Sequence, residues 1–218
     1  MKKYLIVFTL IFAFVNCGKE FDPEDYGTFT DKRDGKFYRT VIVGTQTWMA
    51  ENLKYLPEVI TPVKISDSLK YYYVYDYYGA NVERAERALD YKTFGVLYNF
   101  PAALDACPEG WHLPDREEWE ELKYSTGLNN GSELRSSSYW ASGDNGSNKS
   151  GFNSLPAGCQ ENSRFRELGH KAGFWSTVIP YSEPGNAYVW GFNKSRNNIE
   201  SVDVPQEDGY PVRCIKDH

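Results

Sequence analysis

Histidine is scarce: His112, His170 and His218 are the only three. They are too few and too scattered to supply a zinc site, whose ligands come in close-spaced pairs. Neither a His-Glu-x-x-His helix nor a Gly-x-Ser-x-Gly elbow occurs, which removes the metalloprotease and serine-hydrolase templates. There is no Gly-rich phosphate loop, no strand–helix alternation of a nucleotide fold and no internal repeat. Positive charge is also short, with 24 Lys and Arg against 30 Asp and Glu. A nucleic-acid partner needs the opposite balance. After the first fifteen residues, no apolar run approaches the roughly 20 residues of a membrane-spanning helix.

What the chain does have begins at its amino end. Lys2 and Lys3 precede the apolar run Leu5 to Val15, the pattern of an export signal. Phe14-Val15-Asn16-Cys17-Gly18 follows and resembles a bacterial lipobox, with Asn16 where a small residue is usual. The expectation is a leader over residues 1–16 and a lipid-modified Cys17, whose acyl chains suffice for stable membrane attachment. Loss of Lys2 and Lys3 with the leader would take the formal net charge from -6 to -8. Residues 17–30 are acidic and broken by Pro23 and Gly27, which reads as a tether. Acidic residues after a lipidated cysteine also resemble surface-export signals, so the expected location is the outer membrane or cell surface.

One domain is expected over residues 31–218. Asp34-Gly35 marks a turn, and Phe37–Val43, Gly44-Thr45 and Gln46–Met49 read as a hairpin. Asn81 is placed to cap a helix through Leu89. Residues 94–100 look strand-like, and Pro101 opens a helical stretch to Cys107. Asp115 and Glu118 have the spacing of a capping box, with Trp119 and Leu122 as the inward face and Gly127 as the stop. Four candidate strands follow, at 173–178, 187–192, 199–204 and 211–216. Helices in the first half and strands in the second make an α+β domain.

Several of these segments together resemble the Fibrobacter succinogenes major paralogous domain family. They are Asp34-Gly35-Lys36 with Tyr38, Val43 to Leu53, Gly95 to Asn99, Ala106 to Pro114 with Glu118-Trp119, Gly151 to Gly158, Phe174 to Thr177, and Val212-Arg213-Cys214. The family is similar to the C-type-lectin-like and sulfatase-modifying-factor-like (formylglycine-generating-enzyme) fold. That resemblance implies two helices flanking small twisted antiparallel sheets, with long loops carrying any site. It brings no established catalytic residues.

Cys107, Cys159 and Cys214 match structural rather than catalytic segments, and Glu117, Glu118, Glu120 and Glu121 lie where a helix dipole favours negative charge. No catalytic residue is therefore assigned. Among three cysteines three pairings are open, and an exported chain favours a bridge. The lectin-like resemblance implies Cys107–Cys214, tying the first helix to the last strand and leaving Cys159 free.

Tyr71, Tyr73, Tyr75 and Tyr77 share one face if the run is a strand. They then either pack across the domain or form an exposed platform on which sugar rings stack. Two loops offer oxygens of the kind Ca²⁺ takes: Asp144, Asn145 and Asn148 in one, Glu183 and Asn186 in the other. The second resembles the glutamate-proline-asparagine of sugar-binding lectins, interrupted by Gly185. Turn formation alone also accounts for both. The function these features suggest is a non-catalytic, lipid-anchored envelope module binding a polysaccharide. The alternative is a structural or protein–protein interaction lipoprotein contacting an envelope protein.

Overall fold

The computed structural model describes Asp22 and residues 25–127, 130–193 and 198–217. The leader at 1–16, Cys17 and half of the expected tether lie outside the described residues. Strand structure among the described residues already begins before residue 31, with β1 (Gly27–Thr30). This strand pairs antiparallel with β2 (Phe37–Val43) from Gly27↔Thr40 to Thr30↔Phe37. Phe29 explains the difference: its ring meets Trp111 at 5.2 Å, apolar burial that a local reading of an acidic stretch does not reveal. Asp34 and Gly35 form the connecting turn, where the Gly35 amide donates to the Asp31 carbonyl at 2.8 Å.

The expected hairpin is present. β2 pairs with β3 (Gln46–Met49) across the two-residue turn Gly44-Thr45, and Gly44 has φ +64°, a value glycine adopts without strain. The sheet continues through β13 (Ile215–Lys216) to β6 (Trp111–His112), in the order β1-β2-β3-β13-β6. The last strand thus lies inside the sheet, next to the first hairpin. The other sheets are small. β4 (Tyr72–Tyr73), β5 (Leu97–Tyr98) and β12 (Tyr210–Pro211) form one, in the order β12-β5-β4. β9 (Lys171–Trp175), β10 (Asn186–Asn193) and β11 (Glu200–Pro205) form another, in the order β11-β10-β9. β7 (Ala157–Glu161) and β8 (Arg164–Leu168) form a separate hairpin.

Five short helices complete a mixed α/β domain among the described residues. The helix expected from Asn81 to Leu89 is split into α1 (Val82–Ala85) and α2 (Leu89–Phe94), because Ala88 is extended. The strand expected over 94–100 shrinks to Leu97 and Tyr98. Tyr91 and Phe94 are both buried by α2, so packing of a helical face outweighs the strand tendency of the aromatics. α3 (Phe100–Ala103) starts with Asn99 as its cap. α4 (Arg116–Ser125) has the expected capping box, with Asp115 accepting from the Glu118 amide and Glu118 from the Asp115 amide, both at 2.9 Å. α5 (Gly131–Leu134) follows.

Trp119 and Leu122 bury the inner side of α4. Trp119 lies 4.9 Å from Trp48, 5.8 Å from Phe174 and 6.4 Å from Trp190, the last two stacked. Aromatic pairs of this kind contribute ~0.5–1.5 kcal/mol each beyond the area they bury. They join α4 to the five-stranded sheet and to the sheet of β9 to β11. No described helix is long and apolar enough to cross a membrane.

Candidate functional site

The tyrosine run does not form one exposed face. Only Tyr72 and Tyr73 are in a strand, and Asp76, at φ +55°, breaks the two-residue period before Tyr77. Tyr73 is fully buried, with its hydroxyl donating to the Lys64 carbonyl at 2.8 Å. Tyr71 is half-buried against its ring, centroids 6.4 Å apart. Tyr77 packs on the core and donates to the Asn81 carbonyl. Tyr75 instead joins Phe165 of β8 at 5.1 Å, alongside the exposed Tyr78 at 5.6 Å.

The asparagines of the first proposed calcium loop use their amide oxygens internally, while Asp144 Oδ2 is buried without a hydrogen-bond partner among the described residues. Asn145 Oδ1 accepts from the Trp140 amide at 3.1 Å, and Asn148 Oδ1 from the Asn153 amide at 2.8 Å. The Glu183 loop closes on itself through the Asn186 amide and the Glu183 carbonyl, while the Asn186 side chain donates to Asp203. Among the described residues no three His, Cys, Asp or Glu side chains gather as metal ligands, Asp144 and Glu183 included. Cys107 and Cys214 are joined as a disulfide with Cα atoms 5.9 Å apart, and Cys159 is buried and free. Burial pushes the Cys159 thiol far above its ordinary range.

A cavity of about 370 Å³ opens where two of the family-like segments meet. Glu51, Asn52 and Lys54 come from the stretch after β3, and Asn153 and Leu155 from the stretch before β7. Arg39 of β2, Lys92 and Thr93 of α2, and Ser138 and Tyr139 of a loop complete it. The volume is near the lower end of the ~300–1,000 Å³ typical of small-ligand sites.

The floor is held by Arg213. Its guanidinium is fully buried between the rings of Phe152 and Phe174, 4.6 and 5.1 Å from their centroids. It donates to the carbonyls of Met49 and Phe152, at 3.1 and 2.6 Å, and to Asn52 Oδ1 at 2.6 Å. Burial lowers its pKa to about 9, with Glu51 opposing that shift. The fork geometry of arginine lets one side chain fasten both motif segments.

The rim is built as specifically. Asn52 Nδ2 donates to the Phe94 carbonyl at 2.9 Å. The end of α2 approaches so closely that a Cβ on Gly95 would lie 2.7 Å from the Leu53 carbonyl oxygen, at φ +78°. Two buried tyrosines clamp the backbone of Lys54: Tyr38 Oη accepts from its amide at 3.0 Å and Tyr91 Oη donates to its carbonyl at 2.8 Å. Glu51 faces Arg39 at 2.8 Å and Lys54 at 3.6 Å. Partial burial would raise its pKa, but the hydrogen bond from Arg39 and the Lys54 charge hold it below the usual carboxylate range.

Tyr139 forms the aromatic wall. It is 59% exposed and sits at φ +71°, a conformation that is an outlier for a bulky side chain and costs ~1–3 kcal/mol. The neighbouring Trp140 is buried, its indole donating to the Ser154 carbonyl at 3.2 Å. With Trp140 turned inward and its amide capped by Asn145, the left-handed turn at Tyr139 sends that ring outward, 5.6 Å from Phe94. Sequence reasoning missed Tyr139 and Lys92. Glu51, Asn52, Asn153 and Leu155 were visible only as members of the family-like segments.

The family model of the Fibrobacter succinogenes major domain matches residues 41–216. No curated protein matches the chain, and no solved structure does.

Proposed function

The chain belongs to the Fibrobacter succinogenes major domain family, and from that membership we propose an exported, lipid-anchored module of the cell envelope that binds a glycan without catalysis in the cleft bordered by Tyr139. The observation that carries this reading is Tyr139 itself, an exposed ring on a strained backbone beside a polar cavity. Backbone strain persists where the surrounding structure imposes it, and it concentrates at binding sites. A half-free aromatic ring beside hydrogen-bonding groups suits the C–H face and the hydroxyls of a sugar ring. A C-type-lectin-like or sulfatase-modifying-factor-like arrangement belongs to the same proposal. It is supported by the disulfide between the chain after α3 and the segment leading into the last strand, and by the placement of that strand beside the first hairpin.

Glycan-array binding and insoluble-polysaccharide pull-down by the full chain in detergent, with and without EDTA, should show binding that survives chelation. It should be lost in Tyr139→Gly. A Tyr139→Gly variant that binds as well as the parent would refute the cleft. Labelled fatty acid should enter the parent chain and not Cys17→Ser; a labelled Cys17→Ser chain would refute the anchor. The second reading, an envelope protein as partner, is favoured by the exposed ring of Tyr78 beside the half-buried Phe165 and Tyr75. Substitution of Tyr78, with Tyr139 intact, separates the two.

A further inference from the structure

The charges around the cleft are unbalanced in a direction opposite to the whole chain. Arg39, Lys54 and Lys92 stand on its rim, and Glu51 is the carboxylate among its lining residues. Both oxygens of Glu51 are already committed, one to Arg39 and one to Lys54. Lys92 is exposed on α2 and forms no ion pair among the described residues. The amide acceptors next to it are turned away: Asn52 Oδ1 is taken by Arg213 and the Asn153 carbonyl faces the same guanidinium at 3.4 Å. The cleft therefore presents a ligand with two lysine ammonium groups and no uncommitted carboxylate oxygen among its lining residues. The chain as a whole carries a net charge of -6, so this is a local excess of positive charge on an acidic protein.

Resting on the reading of the cleft as a sugar site, we propose that its ligand is an acidic sugar, a ring bearing an anionic oxygen group that meets Lys92 and Lys54 while the ring lies against Tyr139. A carboxylate or sulfate supplies acceptors only, and its charge complements a rim of three cations and one carboxylate as a neutral hydroxyl does not. The backbones that carry the two lysines are fixed: that of Lys54 by the Tyr38 and Tyr91 hydroxyls, and that of α2 by its docking on Asn52 and Leu53.

The test is calorimetric titration of the full chain in detergent with trigalacturonic acid, its methyl ester and a sulfated neutral trisaccharide. At low salt the acid should bind about tenfold more tightly than the ester, close to the lower end of what a hydrogen bond to a charged group contributes. The difference should shrink in Lys92→Gln, and also at about 1 M salt, where the screening length falls to ~3 Å. Equal affinity for the sulfated sugar assigns the site to anionic groups in general; selective binding of the acid assigns it to carboxylates. If the ester binds as well as the acid, or Lys92→Gln keeps the difference, the acidic ligand is overturned while the sugar-binding reading stands. If none of the three binds, the acidic ligand is likewise overturned, and the neutral-glycan screen with Tyr139→Gly decides the sugar-binding reading separately.

Discussion

Arg213→Met is the substitution that most directly tests how the cleft is held. Methionine keeps apolar contact with Phe152 and Phe174 but removes every donor. The Phe152 carbonyl and Asn52 Oδ1, each bonded at 2.6 Å, lose their guanidinium partner, and the Met49 carbonyl loses a longer bond at 3.1 Å. A buried acceptor left without a partner costs ~1–3 kcal/mol. The two short bonds alone, of the three lost, amount to ~2–6 kcal/mol. Relief of the buried positive charge offsets part of this, so the expected net loss is about 3 kcal/mol. For a chain of this size that lowers the thermal midpoint by about 6–12 °C. Urea unfolding under oxidising conditions, with the adjacent Cys214 still bridged, measures it as a lower midpoint at unchanged m. A variant within about 1 kcal/mol of the parent would refute the argument that this guanidinium fastens the 49–53 and 151–155 segments.

Tyr73→Ala should lower stability by about 3–5 kcal/mol, as for other buried large aromatics, while glycan binding in the cleft is unchanged; thermal melts with binding assays check both. His112 is held between Asp217 at 2.6 Å and Glu118 at 2.7 Å. Its burial lowers the pKa, but the two carboxylates more than reverse this, so the folded value is raised. The stability it contributes is then fully present below about pH 6.5, its unfolded value. It is lost as pH rises through the folded value. His112→Gln should flatten that part of the stability–pH curve. Non-reducing peptide mapping should recover the Cys107 and Cys214 peptides as one species, with Cys159 alkylated only after unfolding. Opening that bridge, whose ends are 107 residues apart, should cost about 4.7 kcal/mol on the chain-entropy account. A linkage through Cys159 would overturn the pairing.

Features that depend on near neighbours were readable from the chain itself. The capping box of α4 needs only Asp115 and Glu118 three residues apart, and the β2–β3 hairpin needs only alternating apolar residues around Gly44-Thr45. The β7–β8 hairpin had a comparable signal in Asn162-Ser163, both at positive φ, yet its short strands, one of them polar, carry little hydrophobic alternation. The family-like segments were legible as words, without their meeting place. Tertiary structure alone decided that Tyr73 is core, that Tyr77 leaves the face of Tyr73, and that α2 runs through Phe94, because burial against distant chain overrides local periodicity. It alone made the cleft. Arg39, Lys54, Lys92, Tyr139 and Asn153 become neighbours through contacts between distant segments, among them Arg213 holding Asn52 and Phe152, a hundred residues apart. No periodicity or spacing within one stretch of sequence encodes that contact.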